Sequence, residues 1–240
     1  MQPSGITVSV VSHNQIGLAL AFIGDLRRLC GDGPHIVLTS NVPEDLDAVP
    51  ADVEIVRNTT RKGFGANHNA AFRHCDTPYF CVANPDIRLD ADPFPALLTA
   101  LADPKVGLAA PLVRSPLGGI EDSARRFPTP ATLFSKALGR SPGLDYEVAA
   151  KPLRPDWVAG MFMLFPSAIY RRLGGFDERY FLYYEDVDLC ARLRRAGLEV
   201  VLTPAAEVVH HAQRASRRNL QHAWWHAQSM LRFLSGSPNR

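Results

Sequence analysis

The sequence predicts an α/β fold in which a mostly parallel central sheet is flanked by helices. Short runs of β-branched and aromatic residues alternate with segments of helical periodicity through the first half of the chain. Polar turns follow these runs, at the strand ends where open α/β sheets bind ligands. With 240 residues, 46% of them hydrophobic, the chain is long enough to bury a large core.

The strands and helices of the first half each have a distinct pattern. Apolar residues at helical spacing predict a helix from Leu18 to Leu29, which Gly31 ends. Ala-rich and Leu-rich segments predict two more helices, near 67–74 and 94–101. Runs dense in Val, Ile and aromatic residues predict four strands, at 6–11, 36–38, 53–56 and 79–83.

The second half is less regular. Residues 114–156 are rich in Pro, Gly and Arg, and we expect long loops there with one short helix near 133–138. No internal repeat is visible, and the length suits either one large domain or two fused halves. Apolar runs and helical spacing predict the remaining elements, which are strands at 161–165, 200–202 and 208–211 and helices at 189–197 and 219–234.

Charge and composition limit the function. The 26 basic and 24 acidic residues nearly cancel to a net charge of +2, which gives no basis for nucleic-acid binding in bulk. The four cysteines form no closely spaced pair, which is typical of a reducing compartment. No apolar run reaches the roughly 18 residues of a membrane span. We expect a cytoplasmic protein, at most peripheral to the inner face of the cell membrane.

Three acids, Glu185, Asp186 and Asp188, follow an aromatic run at residues 180–184. They lie where a helix is predicted to begin. Carboxylates at a helix start are favoured by the helix dipole, so capping is one interpretation. The neighbouring Phe and Tyr residues favour a second interpretation, a walled site in which one carboxylate acts on a bound hydroxyl.

Helical spacing separates these acids. Asp186 shares a stripe with the apolar Leu189, so it should face the interior or a cleft. Asp188 and Arg192 are four residues apart and should form a surface pair. We therefore expect Asp186 to be catalytic and Asp188 to be structural. The spacing assigns Glu185 to neither role.

Asn84-Pro85-Asp86 follows the fourth predicted strand. All three are turn-forming residues, so a simple turn is one interpretation. The position at a strand's carboxyl end favours another, in which Asp86 holds Mg²⁺ or Mn²⁺ and leaves most ligand positions to phosphate and water.

His210 and His211 end the last predicted strand. Because neighbours on a strand point to opposite faces, at most one of them can reach such a metal. A structural histidine is the alternative interpretation.

Two further segments are ambiguous by themselves. The loop Gly63-Phe64-Gly65 and the helix start beyond it can turn backbone amides toward a ligand, but the loop lacks the lysine and threonine of a P-loop. The tail helix has an apolar side that includes Trp224 and Trp225, with arginines nearby. Core packing or an oligomer contact is one interpretation of this side, and peripheral contact with a membrane is the other.

The order of these pieces resembles glycosyltransferases of family 2, which have the GT-A fold, and in particular their rhamnosyltransferase branch. The resemblance covers nearly the whole chain, from Val8 to about Ser216. The matching segments are 10–14, 63–64 with Asn69, 84–86, 157–160, 174–178, 184–189 and His210.

The resemblance implies a role for each segment. Asp86 would hold the divalent ion, Mg²⁺ or Mn²⁺, with His210 completing the site, and Asp186, with Glu185 beside it, would act as general base. Trp157, Gly160 and Tyr184 would lie in the acceptor site. The nucleotide-sugar pocket would be lined by Ser12, His13, Asn14, Ser40, Asn58, Gly63, Phe64, Asn69, Asn84 and Asp86.

The resemblance also implies an activity, the inverting, metal-dependent transfer of a sugar to a glycan or lipid-linked glycan. The donor that it favours is dTDP-L-rhamnose, from which L-rhamnose would be transferred. The resemblance implies one domain over residues 1–240. Within it, residues 1–112 would bind the nucleotide sugar, 113–216 would supply the base and acceptor site, and 217–240 would form a helical tail. Ser40 stands where the family often has Asp, so a UDP-sugar donor is an alternative. Outside enzymes, a non-catalytic glycan- or nucleotide-binding relative is another.

Overall fold

A computed structural model describes residues 5–31, 33–129, 143–147, 150–212 and 220–235. Its elements in the first half are β1 (Ile6–Ser12), α1 (Ile16–Cys30), β2 (His35–Ser40), β3 (Glu54–Arg57), α2 (Phe64–Phe72), β4 (Tyr79–Ala83), β5 (Ile87–Arg88), α3 (Phe94–Leu101) and β6 (Val106–Arg114). In the second half they are β7 (Ala124–Arg125), β8 (Trp157–Val158), β9 (Phe162–Pro166), α4 (Ser167–Arg172), α5 (Glu185–Arg195), β10 (Glu199–His210) and α6 (Leu220–Ser235).

Eight strands form one sheet in the order β3-β2-β1-β4-β9-β6-β10-β5. The four strands β3, β2, β1 and β4 run parallel, as do β6 and β10, whereas β9 lies antiparallel between β4 and β6. β7 and β8 form a separate antiparallel pair. The predicted α/β architecture with a mostly parallel sheet is confirmed.

Strand alternation builds a core on each face of the sheet. In β4, Cys81 and Ala83 face the core that α1 and α3 cover, whereas Phe80 and Val82 face the core that includes residues of α4 and α5. All four side chains are fully buried. The sheet therefore carries helices on both faces, and its strand ends are held at a fixed edge.

The sequence prediction missed the strand β6 at the centre of the second half. Its eight buried residues, 106–113, include Pro111, and this proline concealed the strand in the sequence. The two strands predicted at 200–202 and 208–211 are one strand, β10, with a register shift between Thr203 and Glu207. The helix predicted near 133–138 lies outside the described residues.

The parallel register brings the polar turns of the first half to one edge. Ser12 pairs with Ser40, and Ser40 pairs with Arg57, at the carboxyl ends of β1, β2 and β3. β4 ends at Ala83, one residue before Asn84-Pro85-Asp86. This edge is where the candidate site lies.

Candidate active site

A cavity of about 560 Å³ lies at this edge of the sheet. Among its walls are the ends of β1 and β4, the start of α2, residues 181–182 and the first turn of α6. The described residues that line it are Val11, His13, Gln15, Asn41, Arg61, Lys62, Phe64, Asn67, His68, Ala83, Asn84, Pro85, Asp86, Phe181, Leu182, Gln221 and His222.

Four of the residues predicted for a nucleotide-sugar pocket line this cavity: His13, Phe64, Asn84 and Asp86. Asn58 stands behind its wall, where its Nδ2 donates to Asn41 Oδ1 at 3.0 Å and Asn67 Oδ1 at 2.6 Å. Asn58 therefore positions lining amides, and it is Asn41, in the turn after β2, that reaches the cavity.

Ser12 and Ser40 also lie behind the wall. The Ser12 hydroxyl donates to Glu44 Oε2 at 2.7 Å, and the Ser40 hydroxyl donates to Glu44 Oε1 at 3.4 Å and to the Val42 carbonyl at 2.8 Å. Both serines are buried. They tie the ends of β1 and β2 to the loop that follows β2. Asn14 is exposed and has a left-handed backbone with φ of 59°.

Gly63 and Asn69 connect α2 to the segment before α5. A Cβ at Gly63 would collide with the backbone of Phe181, whose carbonyl accepts a hydrogen bond from Phe64 N at 2.9 Å. Asn69 Oδ1 accepts from the Tyr170 hydroxyl at 2.8 Å and from Phe176 N at 2.9 Å. Neither residue lines the cavity; both hold its wall in place.

Asp86, which lines the cavity, lies close to His210, with Asp86 Oδ2 3.4 Å from His210 Nε2. His210 Nδ1 lies 2.7 Å from Glu121 Oε2, so Glu121 orients the ring and leaves Nε2 toward Asp86. Burial lowers the pKa of His210, but its bonds to Asp86 and Glu121 outweigh burial and raise it. His211 instead bonds through its backbone, donating to the Asp86 carbonyl at 2.9 Å.

These residues fit a divalent cation that is shared with a ligand. Asp86 Oδ1 is buried and has no hydrogen-bond partner among the described residues, which leaves it available as a metal ligand. No group of three or more His, Cys, Asp or Glu side chains in the described ranges is arranged as a metal cage. The protein would therefore supply Asp86 and His210, and phosphate and water the rest.

Asp186 and Glu185 begin α5 and are not among the residues that line the cavity. Two backbone amides donate to the Asp186 carboxylate, Gly160 N to Oδ2 at 3.0 Å and Val187 N to Oδ1 at 2.8 Å. A Cβ built on Gly160 would stand 3.1 Å from the Phe64 ring and 3.8 Å from Asp186 Oδ2. Gly160 thus keeps open the gap between the carboxylate and the ring that lines the cavity.

The two carboxyls of this pair have different surroundings. Burial raises the pKa of Asp186, against the two amide bonds, which favour its ionised form. Burial and the Asp186 charge raise the pKa of Glu185 well above its ordinary value, and Glu185 Oε2 has no hydrogen-bond partner among the described residues. The amide bonds thus favour the ionised form of Asp186, whereas burial and the neighbouring charge disfavour that of Glu185.

The backbone before α5 is strained. Tyr183 and Tyr184 both have positive φ, 71° and 67°, a conformation that is rare for residues other than glycine. Tyr184 is buried against Phe233 of α6, with ring centroids 5.5 Å apart. Trp157 packs against the same cluster, and its Nε1 donates to the Arg126 carbonyl at 2.9 Å. The predicted acceptor residues Trp157, Gly160 and Tyr184 thus surround the start of α5.

A model of the family described as "Glycosyltransferase like family 2" matches residues 37–227, which is most of the chain. The protein belongs to this family of glycosyltransferases. The match includes the carboxyl pair and all the described cavity-lining residues except Val11, His13 and Gln15.

Two relatives of this glycosyltransferase are rhamnosyltransferases. The N-acetylglucosaminyl-diphospho-decaprenol L-rhamnosyltransferase of Mycobacterium tuberculosis is 35% identical over 167 residues, which are 64% of this chain and 54% of the relative. The chain thus spans about half the length of that protein. The rhamnosyltransferase WbbL of Escherichia coli is 32% identical over 185 residues, 72% of this chain and 70% of the relative.

Two solved structures share the fold of the glycosyltransferase. The mannosyltransferase PcManGT of Pyrobaculum calidifontis, in complex with GDP-Man and Mn²⁺, matches with a TM-score of 0.65 at 20% identity, over 96% of this chain and 66% of that one. GalNAc-T7 with UDP, GalNAc and Mn²⁺ matches with a TM-score of 0.68 at 13% identity, over 87% and 44%. The GT-A fold is confirmed.

One prediction about the acids of the glycosyltransferase needs correction. Arg192 Nε donates to Asp188 Oδ2 at 2.7 Å, as the spacing predicted, but the Asp188 and Arg192 side chains are only 14% and 22% exposed. Arg192 also donates to the carbonyls of Leu173 and Gly175. The pair is therefore an internal clasp between α5 and the preceding loop, and not a surface pair.

Sequence reasoning missed the contribution of α6 to the cavity of the glycosyltransferase. Trp225 stacks on Phe181 with ring centroids 4.7 Å apart, and the Arg61 guanidinium lies 5.3 and 5.0 Å from the centroids of these two rings. The tail helix thereby reaches Arg61, a lining residue, and adds His222 to the wall. The adjacent tryptophans Trp224 and Trp225 indicated that the tail helix packs against the protein, but the sequence does not show which of the two faces inward.

The histidine at position 68 was also missed. His68 is fully buried, its Nδ1 lies 2.8 Å from the Ser9 hydroxyl, and burial lowers its pKa to about 3. Its Nε2 has no partner within the described part of the chain. A neutral imidazole thus forms part of the cavity wall.

Proposed function

We propose that the protein is an inverting, metal-dependent rhamnosyltransferase that moves L-rhamnose from dTDP-L-rhamnose to a lipid-linked glycan. Two relatives that are at least 32% identical are named for rhamnose transfer, and one of them for a diphospho-decaprenol acceptor. The observation that carries the proposal is the Asp186 carboxylate, which two backbone amides hold beside the ring of Phe64.

The donor diphosphate binds at Asp86 in this proposal. A Mg²⁺ or Mn²⁺ ion there would neutralise the leaving diphosphate as a Lewis acid. Glu121 supports this by fixing the orientation of His210, and Arg61 and Lys62 in the cavity wall add positive charge for phosphate. The amides of Asn41 and Asn67, which Asn58 holds, offer hydrogen bonds to the nucleoside.

Asp186 takes the proton from the attacking hydroxyl of the acceptor. Its two amide bonds keep the carboxylate ionised and aimed at Phe64, while Glu185, as a neutral acid, adds no second charge that would repel the donor phosphates. Direct displacement needs no nucleophile from the enzyme and inverts the anomeric carbon. The assignment of residues 1–112 to the donor and 113–216 to base and acceptor belongs to this proposal.

The proposal is tested with a panel of sugar nucleotides that includes dTDP-L-rhamnose, UDP-sugars and GDP-mannose. Each is incubated with the full chain, Mn²⁺ or Mg²⁺, and a GlcNAc-diphospho-prenyl acceptor, and both free nucleotide and glycosylated product are measured. We expect product with dTDP-L-rhamnose, and none after chelation of the metal. Product with a UDP-sugar alone would establish the alternative donor, and binding without product from any donor would indicate a non-catalytic relative.

A further inference from the structure

A second cavity, of about 510 Å³, runs along α5 from Asp188 in its first turn to Arg195 at its end, and it is lined by arginines and aromatic rings. It is separate from the donor cavity, with which it shares no lining residue among those described. Its described lining residues are Phe127, Arg179, Tyr180, Asp188, Ala191, Arg194, Arg195, Arg232, Phe233 and Ser235.

Two of its four arginines have a carboxylate partner that offsets their charge. Arg179 pairs with Asp177 at 2.6 Å, and Arg194 lies 3.5 Å from Asp156. The one carboxylate in the lining, Asp188, is itself neutralised by Arg192. None of these pairs leaves a net charge in the cavity.

The other two arginines, Arg195 and Arg232, have no carboxylate within salt-bridge distance in the ranges that the structure describes. Arg195 donates only to the Ala191 carbonyl at 3.3 Å, and the Arg232 guanidinium lies over the Tyr180 ring, 6.0 Å from its centroid. The cavity therefore holds two uncompensated positive charges, one from α5 and one from α6.

The remaining wall is apolar and continuous with the acceptor residues. Phe127 and Phe233 face each other with ring centroids 6.5 Å apart. Phe233 also contacts Tyr184, and Trp157 packs against the same aromatic cluster. A ligand in this cavity would thus have an anionic part against the arginines and an apolar part against the rings, and it would lie next to the acceptor site.

From these contacts we infer that the cavity binds the diphosphate of an amphiphilic, sugar-diphospho-lipid acceptor, with Arg195 and Arg232 as its two phosphate ligands. A diphosphate diester carries one negative charge on each phosphate, which matches the two uncompensated guanidinium groups. Arg195 ends α5 nine residues after Asp186, which is ~13 Å of helix rise, so the sugar and the diphosphate would lie along the helix between these two residues.

The inference rests on the proposed transfer to a diphosphate-linked acceptor, but it is tested by binding without any donor. Isothermal titration of the full chain uses GlcNAc-diphospho-prenyl with a short prenyl chain, and the variants are Arg195→Gln, Arg232→Gln and the pair of both. The control is Arg172→Gln, which changes an exposed arginine that lines neither cavity. Circular dichroism checks that each variant is folded.

We expect each single variant to weaken binding by about tenfold, the double variant more, and the control to stay within about twofold of wild type. With dTDP-L-rhamnose present, KM for the acceptor should rise while the slow release of nucleotide without acceptor is unchanged. Arginine-dependent binding with no rhamnose transfer would refute the proposed function and leave this inference standing.

Two results would overturn the inference. In the first, the folded double variant binds the probe as tightly as Arg172→Gln does. In the second, inorganic diphosphate binds as tightly as the probe and the prenyl chain contributes nothing, which would make the cavity a site for free phosphate. A prenyl GlcNAc glycoside without diphosphate should bind at least about tenfold more weakly than the probe.

Discussion

At the residue scale, the two carboxyls at the start of α5 differ in how their ionised forms are stabilised. Asp186 receives two backbone hydrogen bonds that stabilise its charge, and Glu185 receives none to its buried Oε2 within the described structure. Two neighbouring acids in one buried place cannot both ionise cheaply, so the better hydrogen-bonded one carries the charge. This division makes the two residues separable by substitution.

Asp186→Asn should lower kcat by roughly 100- to 10,000-fold, because the acceptor hydroxyl then loses its proton acceptor. Glu185→Gln is the matched control: a neutral amide replaces a neutral acid of the same shape, so kcat should stay within about tenfold of wild type. Steady-state transfer assays on both variants measure this. A Glu185→Gln enzyme as inactive as Asp186→Asn would contradict the division.

Burial of Glu185 also predicts a pH dependence of stability. Its pKa is raised above the ordinary 4.5 on folding, so between 4.5 and the folded value the native state binds more protons than the unfolded state. The free energy of unfolding should therefore fall as pH rises above 4.5, by up to about 1.4 kcal/mol per pH unit. Denaturant titrations at several pH values should show that the free energy of unfolding falls less with rising pH in Glu185→Gln than in wild type. The same pH dependence in both proteins would show that Glu185 is not the group responsible.

At the element scale, the start of α2 packs directly on the backbone before α5. Gly63→Ala would push its Cβ into the Phe181 backbone, and we expect a loss of ~1–3 kcal/mol in the free energy of unfolding together with a higher KM for the donor. Gly24→Ala is the control, since a Cβ on this exposed residue of α1 meets nothing within 4 Å and should stabilise the helix by ~0.5–1 kcal/mol. Equal effects of the two variants in denaturant titrations would refute the close approach.

The tail helix α6 gives a second matched pair. Trp225→Ala removes the ring that stacks on Phe181 and contacts Arg61, so the KM for the donor should rise several-fold. Trp224, which is 62% exposed, serves as the control, and Trp224→Ala should leave donor kinetics unchanged. If Trp224→Ala raised the donor KM as much as Trp225→Ala, the tail would not act through Arg61.

At the scale of the whole molecule, the sequence predicted the α/β fold, the polar sheet edge and the inward turn of Asp186. These follow from local patterns, since strand runs, helical spacing and turn residues need no distant partner. The strand β6 was missed because Pro111 concealed it, and the wall residues Asn41, Asn67 and Arg61 were missed because only the folded chain shows which polar groups face the cavity. The arginine cavity draws Arg195 and Arg232 from distant segments, so spacing along the chain could not reveal it.

None of the helices that the structure describes is long and apolar enough to cross a membrane. Contact of α6 with a membrane surface, through exposed Trp224 and Leu231, stays a prediction from the sequence pattern. Sedimentation with vesicles of anionic lipid, compared between wild type and Leu231→Gln, measures it, and binding by wild type that the variant loses is the expected result. Equal sedimentation of the two would place the contact elsewhere.

In the proposed mechanism one carboxylate, Asp186, activates the acceptor for a single displacement on a nucleotide-bound sugar. The most direct test is nuclear magnetic resonance of the product formed from dTDP-L-rhamnose and the GlcNAc-diphospho-prenyl acceptor with Mn²⁺ present. We expect one rhamnoside whose anomeric configuration is inverted relative to the donor, and no product from Asp186→Asn. A product of retained configuration, or normal turnover by Asp186→Asn, would contradict it.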